Sequence, residues 1–161
     1  MENTFLNTDY STNYEKKSVI ISSSTTTHGQ TEFNIEFVDP LRIDQKVDIY
    51  IDSFTTQNIF KNSHDSSGNT MGFIINIDKF NFSNTSSNNS FINNRIFIPN
   101  EEKTNNTSSS IHKGKKMNYI CTQEPIVIRN LSMKITQLDG ISSIFSSNDG
   151  SFIIELLLVK I

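Results

Sequence analysis

The chain has 161 residues, a formal net charge of −3 and a pI near 5.6. Leu, Ile, Val and Phe supply 47 residues, enough apolar mass to build a core in a chain whose length suits one domain. There is no Ala and no Trp, and 7 Leu stand against 23 Ile, 20 Asn, 22 Ser and 15 Thr; this argues against a helical protein, and the slight acidity without a basic stripe argues against a general nucleic-acid binder.

Residues 1–17 show no period of 2 or 3.6 and carry no apolar h-region. They read as a polar N-terminal arm preceding a domain at 18–161, and not as a secretion signal. Ser18–Ser22 is a short apolar run closed by a Ser/Thr-rich turn. Phe33, Ile35 and Phe37 then alternate with Glu32, Asn34 and Glu36, giving a half-buried strand that Asp39-Pro40 should end, because proline donates nothing to a ladder. Val47, Ile49 and Ile51 form a second strand of this kind, and Phe54 falls on the opposite phase, which predicts a bulge near Ser53.

A loop is expected over 61–70, followed by a strand through Phe73, Ile75 and Ile77 whose phase flips toward Phe80 and Phe82. Residues 83–94 read as a long polar loop, Arg95–Pro99 as a short strand, and 100–116 as a third, very hydrophilic loop. One or two strands are expected over Asn118–Cys121 and Pro125–Ile128, and another through Leu131, Met133 and Ile135 up to the turn at Asp139-Gly140. A second turn, Asp149-Gly150, leads into the final strand. There Phe152, Ile154, Leu156 and Leu158 line one face, and Ile153, Leu157, Val159 and Ile161 the other. A strand apolar on both sides demands cover on both, from the core on one and from a loop, the arm or a second subunit on the other.

Eight or nine short strands without helix-length connections point to an all-β antiparallel sandwich, a single jelly roll of about eight strands. An immunoglobulin-like sandwich comes second, since its Cys…Trp…Cys signature is missing. The longest apolar run, Leu156–Val159, is too short to cross a bilayer.

No catalytic constellation emerges. His28, His64 and His112 are each expected in a polar loop, without an H-x-H pair, so no metal site is assigned. Cys121 is alone, which precludes an intrachain disulfide, suits a reducing compartment and makes it a small buried hydrophobe. Asp48 and Asp52 would lie about 13 Å apart on one strand at about 3.3 Å per residue, too far for a glycosidase pair and natural for a solvated face. Glu101-Glu102 and the cluster Lys113, Lys115, Lys116 read as charged loops. No catalytic residue, cofactor or metal ligand is therefore expected, and an enzyme is the weakest reading.

Two stretches carry a resemblance: 18–58, SVIISSSTTTHGQTEFNIEFVDPLRIDQKVDIYIDSFTTQN, and 131–161, LSMKITQLDGISSIFSSNDGSFIIELLLVKI. Their order of strands and turns resembles the single-jelly-roll minor capsid and penton-type proteins of nucleocytoplasmic large DNA viruses and virophages. The resemblance implies a non-enzymatic structural protein of the virion, assembled in the host cytoplasm. Its partners would be copies of itself, as a pentamer or trimer, and the major capsid protein. The alternative is a lectin-like or receptor-binding jelly-roll module, such as a virion fibre head, whose Asn/Ser/Thr loops would carry recognition.

Overall fold

The computed structural model describes residues 15–57, 72–81, 87, 94–99, 109–112, 118–145 and 148–161. Among them there is no helix. The nine strands are β1 (Lys16–Thr26), β2 (Glu32–Ile43), β3 (Val47–Gln57), β4 (Gly72–Ile77), β5 (Ile96–Pro99), β6 (Ser109–His112), β7 (Asn118–Gln123), β8 (Ile126–Thr136) and β9 (Gly150–Lys160). They form two antiparallel sheets. The first runs β1-β9-β3, with β7 and β6 end to end along the far edge of β3; the second runs β2-β8-β4-β5. The architecture is an all-β sandwich.

The inner faces share one apolar cluster, drawn from the alternating positions that the sequence marks: Phe33 on β2, Ile49 and Ile51 on β3, Phe73 and Ile75 on β4, Met133 and Ile135 on β8, and Ile154 and Leu156 on β9. Aromatic rings pin the two layers together. Phe33 of the second sheet meets Phe152 of the first edge-on at 5.0 Å, and Phe54 meets Phe73 at 6.3 Å, spacings at which edge-to-face pairs add roughly 0.5–1.5 kcal/mol beyond burial.

The bulge expected near Ser53 is present. Ile51 pairs with Leu156 and Ser53 with Glu155, so Asp52 is the extra residue and Phe54 swings into the core. The phase change before Phe80 is also present: a turn at Asp78-Lys79, closed by Phe80 N–H donating to the Ile77 carbonyl, carries that ring inward.

Four boundaries differ from the sequence reading. β1 begins at Lys16, two residues inside the expected arm, because Lys16 and Lys17 have ladder partners in Val159 and Leu158. Pro40 does not end β2. The ladder stops at Glu36–Asn130 and resumes at Leu41–Ile128, so Phe37–Pro40 stand opposite Arg129 alone; a long bulge absorbs the proline, and Leu41 and Ile43 return to the core. The segments expected at Pro125–Ile128 and from Leu131 are one strand, β8. Its inward phase shifts between Ile128 and Leu131, beside that bulge. Finally, the hydrophilic stretch 100–116 contains β6, which pairs with Phe54–Gln57. This segment pairs through its backbone, and hydrophobic periodicity gives no sign of it. The loop expected at 61–70 and most of that at 83–94 lie outside the described residues.

Candidate assembly surface

β9 is the central strand of its sheet, paired with β1 on one side and β3 on the other. Its backbone groups are used, so its outward side chains set the character of the outer face. Phe152, Ile154, Leu156 and Leu158 point inward and are fully buried. On the outside, Ile153 is 48% exposed, while Leu157 and Val159 are half-buried. The described residues therefore cover only part of the second apolar face that the sequence predicts.

Register extends this face across the sheet. Directly opposed residues share a side, so Ser18–Leu157–Tyr50–Tyr119 form one outward row and Ser22–Ile153–Thr55 another. Ile20, 65% exposed, stands between them on β1 opposite Glu155. Tyr50 and Tyr119 meet edge-on at 5.6 Å, and Tyr119 is half-exposed. A patch of aliphatic and tyrosine side chains results, of the kind that marks contact surfaces.

Several polar groups within the patch are already paired. Ser18 Oγ donates to Glu155 Oε1 at 2.5 Å, Thr122 Oγ1 donates to Asp48 Oδ1 at 2.6 Å, and the Tyr119 hydroxyl lies 2.9 Å from Thr122 Oγ1. At the end of the sheet Lys46 bridges Glu124 at 2.8 Å, which raises the lysine pKa through the hydrogen bond and the opposite charge. The outer face of the second sheet is more polar, although Val127 and Phe97 are exposed there. Glu32, Asn34, Glu36, Asn130 and Ser132 are all exposed there, with Ser132 Oγ donating to Asn34 Oδ1 at 2.8 Å.

The residues examined for chemistry do not converge. His28 lies in the β1–β2 turn, its backbone N–H donating to Asn148 Oδ1 at 2.8 Å. His112 belongs to β6 rather than to a loop, its backbone opposite Phe54. His64, Glu101, Glu102, Lys113, Lys115 and Lys116 lie outside the described residues. Cys121 is buried, and burial, reinforced by Asp48, pushes its thiol up to about 11, far from a reactive thiolate. Asp48 holds Thr122, and Asp52 is the exposed bulge residue. Among the described residues no group of three His, Cys, Asp or Glu could hold a metal ion, and no helix is long and apolar enough to cross a membrane.

Sequence reasoning missed Ile20, Tyr50 and Tyr119 as members of the patch. Ile20 was hidden inside the run Val19-Ile20-Ile21, whose two outer members face the core. The tyrosines come together only through the β3–β7 register, in which Ile120 is an extra residue. No protein-family model matches this sequence, and a search of curated proteins finds no relative.

Proposed function

We propose that this chain is a single jelly roll acting as a non-enzymatic viral structural protein, a minor capsid or penton-type component that assembles with itself and with a major capsid protein. The winding supports the jelly-roll reading. The chain passes from the first sheet (β1) to the second (β2) and back (β3), runs β4 and β5 in the second, and returns for β6 and β7; it then crosses for β8 and closes with β9 between β1 and β3. With β6 and β7 taken as two halves of one strand along β3, this order supports the reading of an eight-strand double Greek key.

The observation that carries the assembly role is the outward row of Ile20, Ile153, Leu157 and Val159 beside Tyr50 and Tyr119. Such a surface works by burial and shape, without turnover. Its place is the virion, after assembly in the host cytoplasm.

Sedimentation velocity over a range from about micromolar to about a hundred micromolar tests the reading, a span that brackets ordinary interface affinities. A closed pentamer or trimer is expected, and Ile20→Asp should return it to monomers with little change in Tm, because Ile20 is mostly exposed in the single chain. A strict monomer throughout would refute self-assembly; one that also bound glycans would put a receptor-binding module in its place.

A further inference from the structure

Each sheet of the sandwich has two edges, and three of these four edges are interrupted. On β2, which carries the exposed Glu32 and Glu36, the ladder breaks over Phe37–Pro40. β5 is four residues long and ends in Pro99, and β7 and β6 divide the far edge of β3 between them. β1 is the exception. It keeps eight consecutive ladder pairs with β9, from Lys16 to Ser23, and holds neither charge nor proline from Ser18 to Thr26. Prolines, charges, bulges and short strands are the usual protection of an edge against pairing with another chain, and Ser18–Ser22 has none of them. We propose that β1 pairs antiparallel with β1 of a second copy about a two-fold axis at Ile20, joining the first sheets of two subunits into one.

The backbone is in the right phase for this. Lys160 N–H donates to the Glu15 carbonyl at 3.0 Å, which makes Glu15–Lys160 a hydrogen-bonded pair, and in an antiparallel ladder such pairs recur at every second residue. Lys17, Val19 and Ile21 therefore turn their backbone groups to β9, and Ser18, Ile20 and Ser22 turn theirs to the outer edge. The far side of β9 gives the same phase, since Ile161 N–H donates to the Lys46 carbonyl at 3.4 Å and leaves the even-numbered residues of β9 to β1. Among the described residues no strand meets Ser18, Ile20 or Ser22 on that edge.

The strand is also its own complement. Opposing even-numbered residues lets the outward backbone groups of both copies meet, and centring the pair on Ile20 sets like against like. Ser18 then faces the second copy's Ser22, Val19 its Ile21, and Ile20 its Ile20. Val19 and Ile21 are buried on the inner face, while Ile20 is 65% exposed on the outer one, so β-branched side chains meet on both faces, as favourable cross-strand pairs do. Lys17 lies opposite the second copy's Ser23, which keeps the lysines of the two copies apart. The contact goes beyond the outer-face reading: it is made by backbone groups and has its own axis, so it joins two subunits whether or not each belongs to a ring. It also brings the two Ile20 side chains together and makes the apolar patches of both copies continuous.

A backbone contact of this length is small beside a stable interface, so covalent trapping reads it better than mass does. Opposed residues of a hydrogen-bonded pair have Cα atoms about 5.5 Å apart, within disulfide reach. In full chains carrying Cys121→Val, Ile20→Cys should give a disulfide-linked dimer on mild oxidation. Ser18→Cys alone should not, because the two copies of that residue lie about 13 Å apart along the ladder; Ser18→Cys combined with Ser22→Cys should link the copies. Ser22→Pro removes an edge N–H that β9 does not use and leaves the outer apolar face in place, and it should lower the link formed by Ile20→Cys at least about tenfold. Thermal melts show that each variant folds. No link at residue 20, a link at residue 18 alone as strong as that at residue 20, or a link indifferent to Ser22→Pro would overturn the proposal. A link at residue 20 in a chain that forms no ring would uphold it while the outer-face reading fails.

Discussion

Two adjacent residues of β9 isolate the two faces of the strand. Ile154 is fully buried and in register with Ile21 and Phe54, so Ile154→Ala removes side-chain atoms from a site walled on all sides. The cost is about 2–5 kcal/mol, which at about 2–4 °C per kcal/mol for a chain of this size lowers Tm by roughly 4–20 °C. Ile153 faces outward between Ser22 and Thr55 and keeps 48% of its surface exposed. Ile153→Asp therefore loses about half of a full burial, about 1 kcal/mol, plus a few tenths for strand preference, and Tm falls by roughly 2–5 °C. In an assembly the order reverses. The exposed half of Ile153 is what a neighbour would cover, and a carboxylate there would be desolvated without a partner, at a cost of several kcal/mol. Circular dichroism melts and sedimentation velocity on both variants should give a stable monomer for Ile153→Asp and a destabilised oligomer for Ile154→Ala. Equal losses of Tm would refute the assignment of faces, and an Ile153→Asp oligomer like that of the parent chain would refute the assembly surface.

Other positions give sharp expectations. Thr26 carries a buried hydroxyl with no hydrogen-bond partner, so Thr26→Val should raise stability by about 1 kcal/mol in urea denaturation. Gly72 lies against β5, where an added Cβ would strike the carbonyl oxygen of Ile98 and the Phe97 ring; Gly72→Ala should cost about 1–3 kcal/mol, since a paired backbone carbonyl cannot move aside. The Cys121 thiol, raised to about 11 by burial, ionises in the unfolded chain near its ordinary value of about 8.5. Stability should therefore hold below that pH and fall by up to about 1.4 kcal/mol per pH unit from there toward 11, and Cys121→Val should abolish the slope. Partial burial pushes the Asp139 carboxyl up, but hydrogen bonds from the Ser142 hydroxyl and from the Ile141 and Ser142 N–H groups outweigh it and hold the pKa below the usual range. That contribution is present above about pH 4 and is lost as pH falls through the folded value, so Asp139→Ala should flatten the acid limb of the stability curve.

The strands with strict alternation were legible because a period of 2 is a direct consequence of one buried face. Phe33 and Ile35, Val47 to Ile51, and Leu131 to Ile135 all lie where their pattern puts them. The bulge at Asp52 could be read from the phase of Phe54 alone. Proline misled in β2, because its missing donor ends a ladder only where the partner strand cannot bend with it; here β8 shifts its own phase and pairing resumes at Leu41. β6 was illegible for the opposite reason. It pairs with Phe54–Gln57 at the end of β3, and a four-residue strand within a hydrophilic stretch shows no run of alternating apolar residues.

The two outer faces separate what the sandwich needs for itself from what it offers to others. Along β2 and the middle of β8 the second sheet faces outward with polar side chains, Ser132 donating to Asn34, while Val127 and Phe97 are exposed elsewhere on that face. The first sheet is served equally well by its inner residues, since Leu156 and Leu158 already bury fully against the core. Folding alone gives no reason for Leu157, Val159 and Ile153 to be apolar as well, and each raises the risk of nonspecific association. Glu155 sharpens the point. It sits among these residues as the carboxylate that would oppose burial, and it already accepts a short hydrogen bond from Ser18. A carboxylate paired within its own sheet can be covered at less cost than a bare one. The face therefore combines aliphatic side chains with a charge whose partner is in place before any neighbour arrives, and a surface meant only for water requires neither.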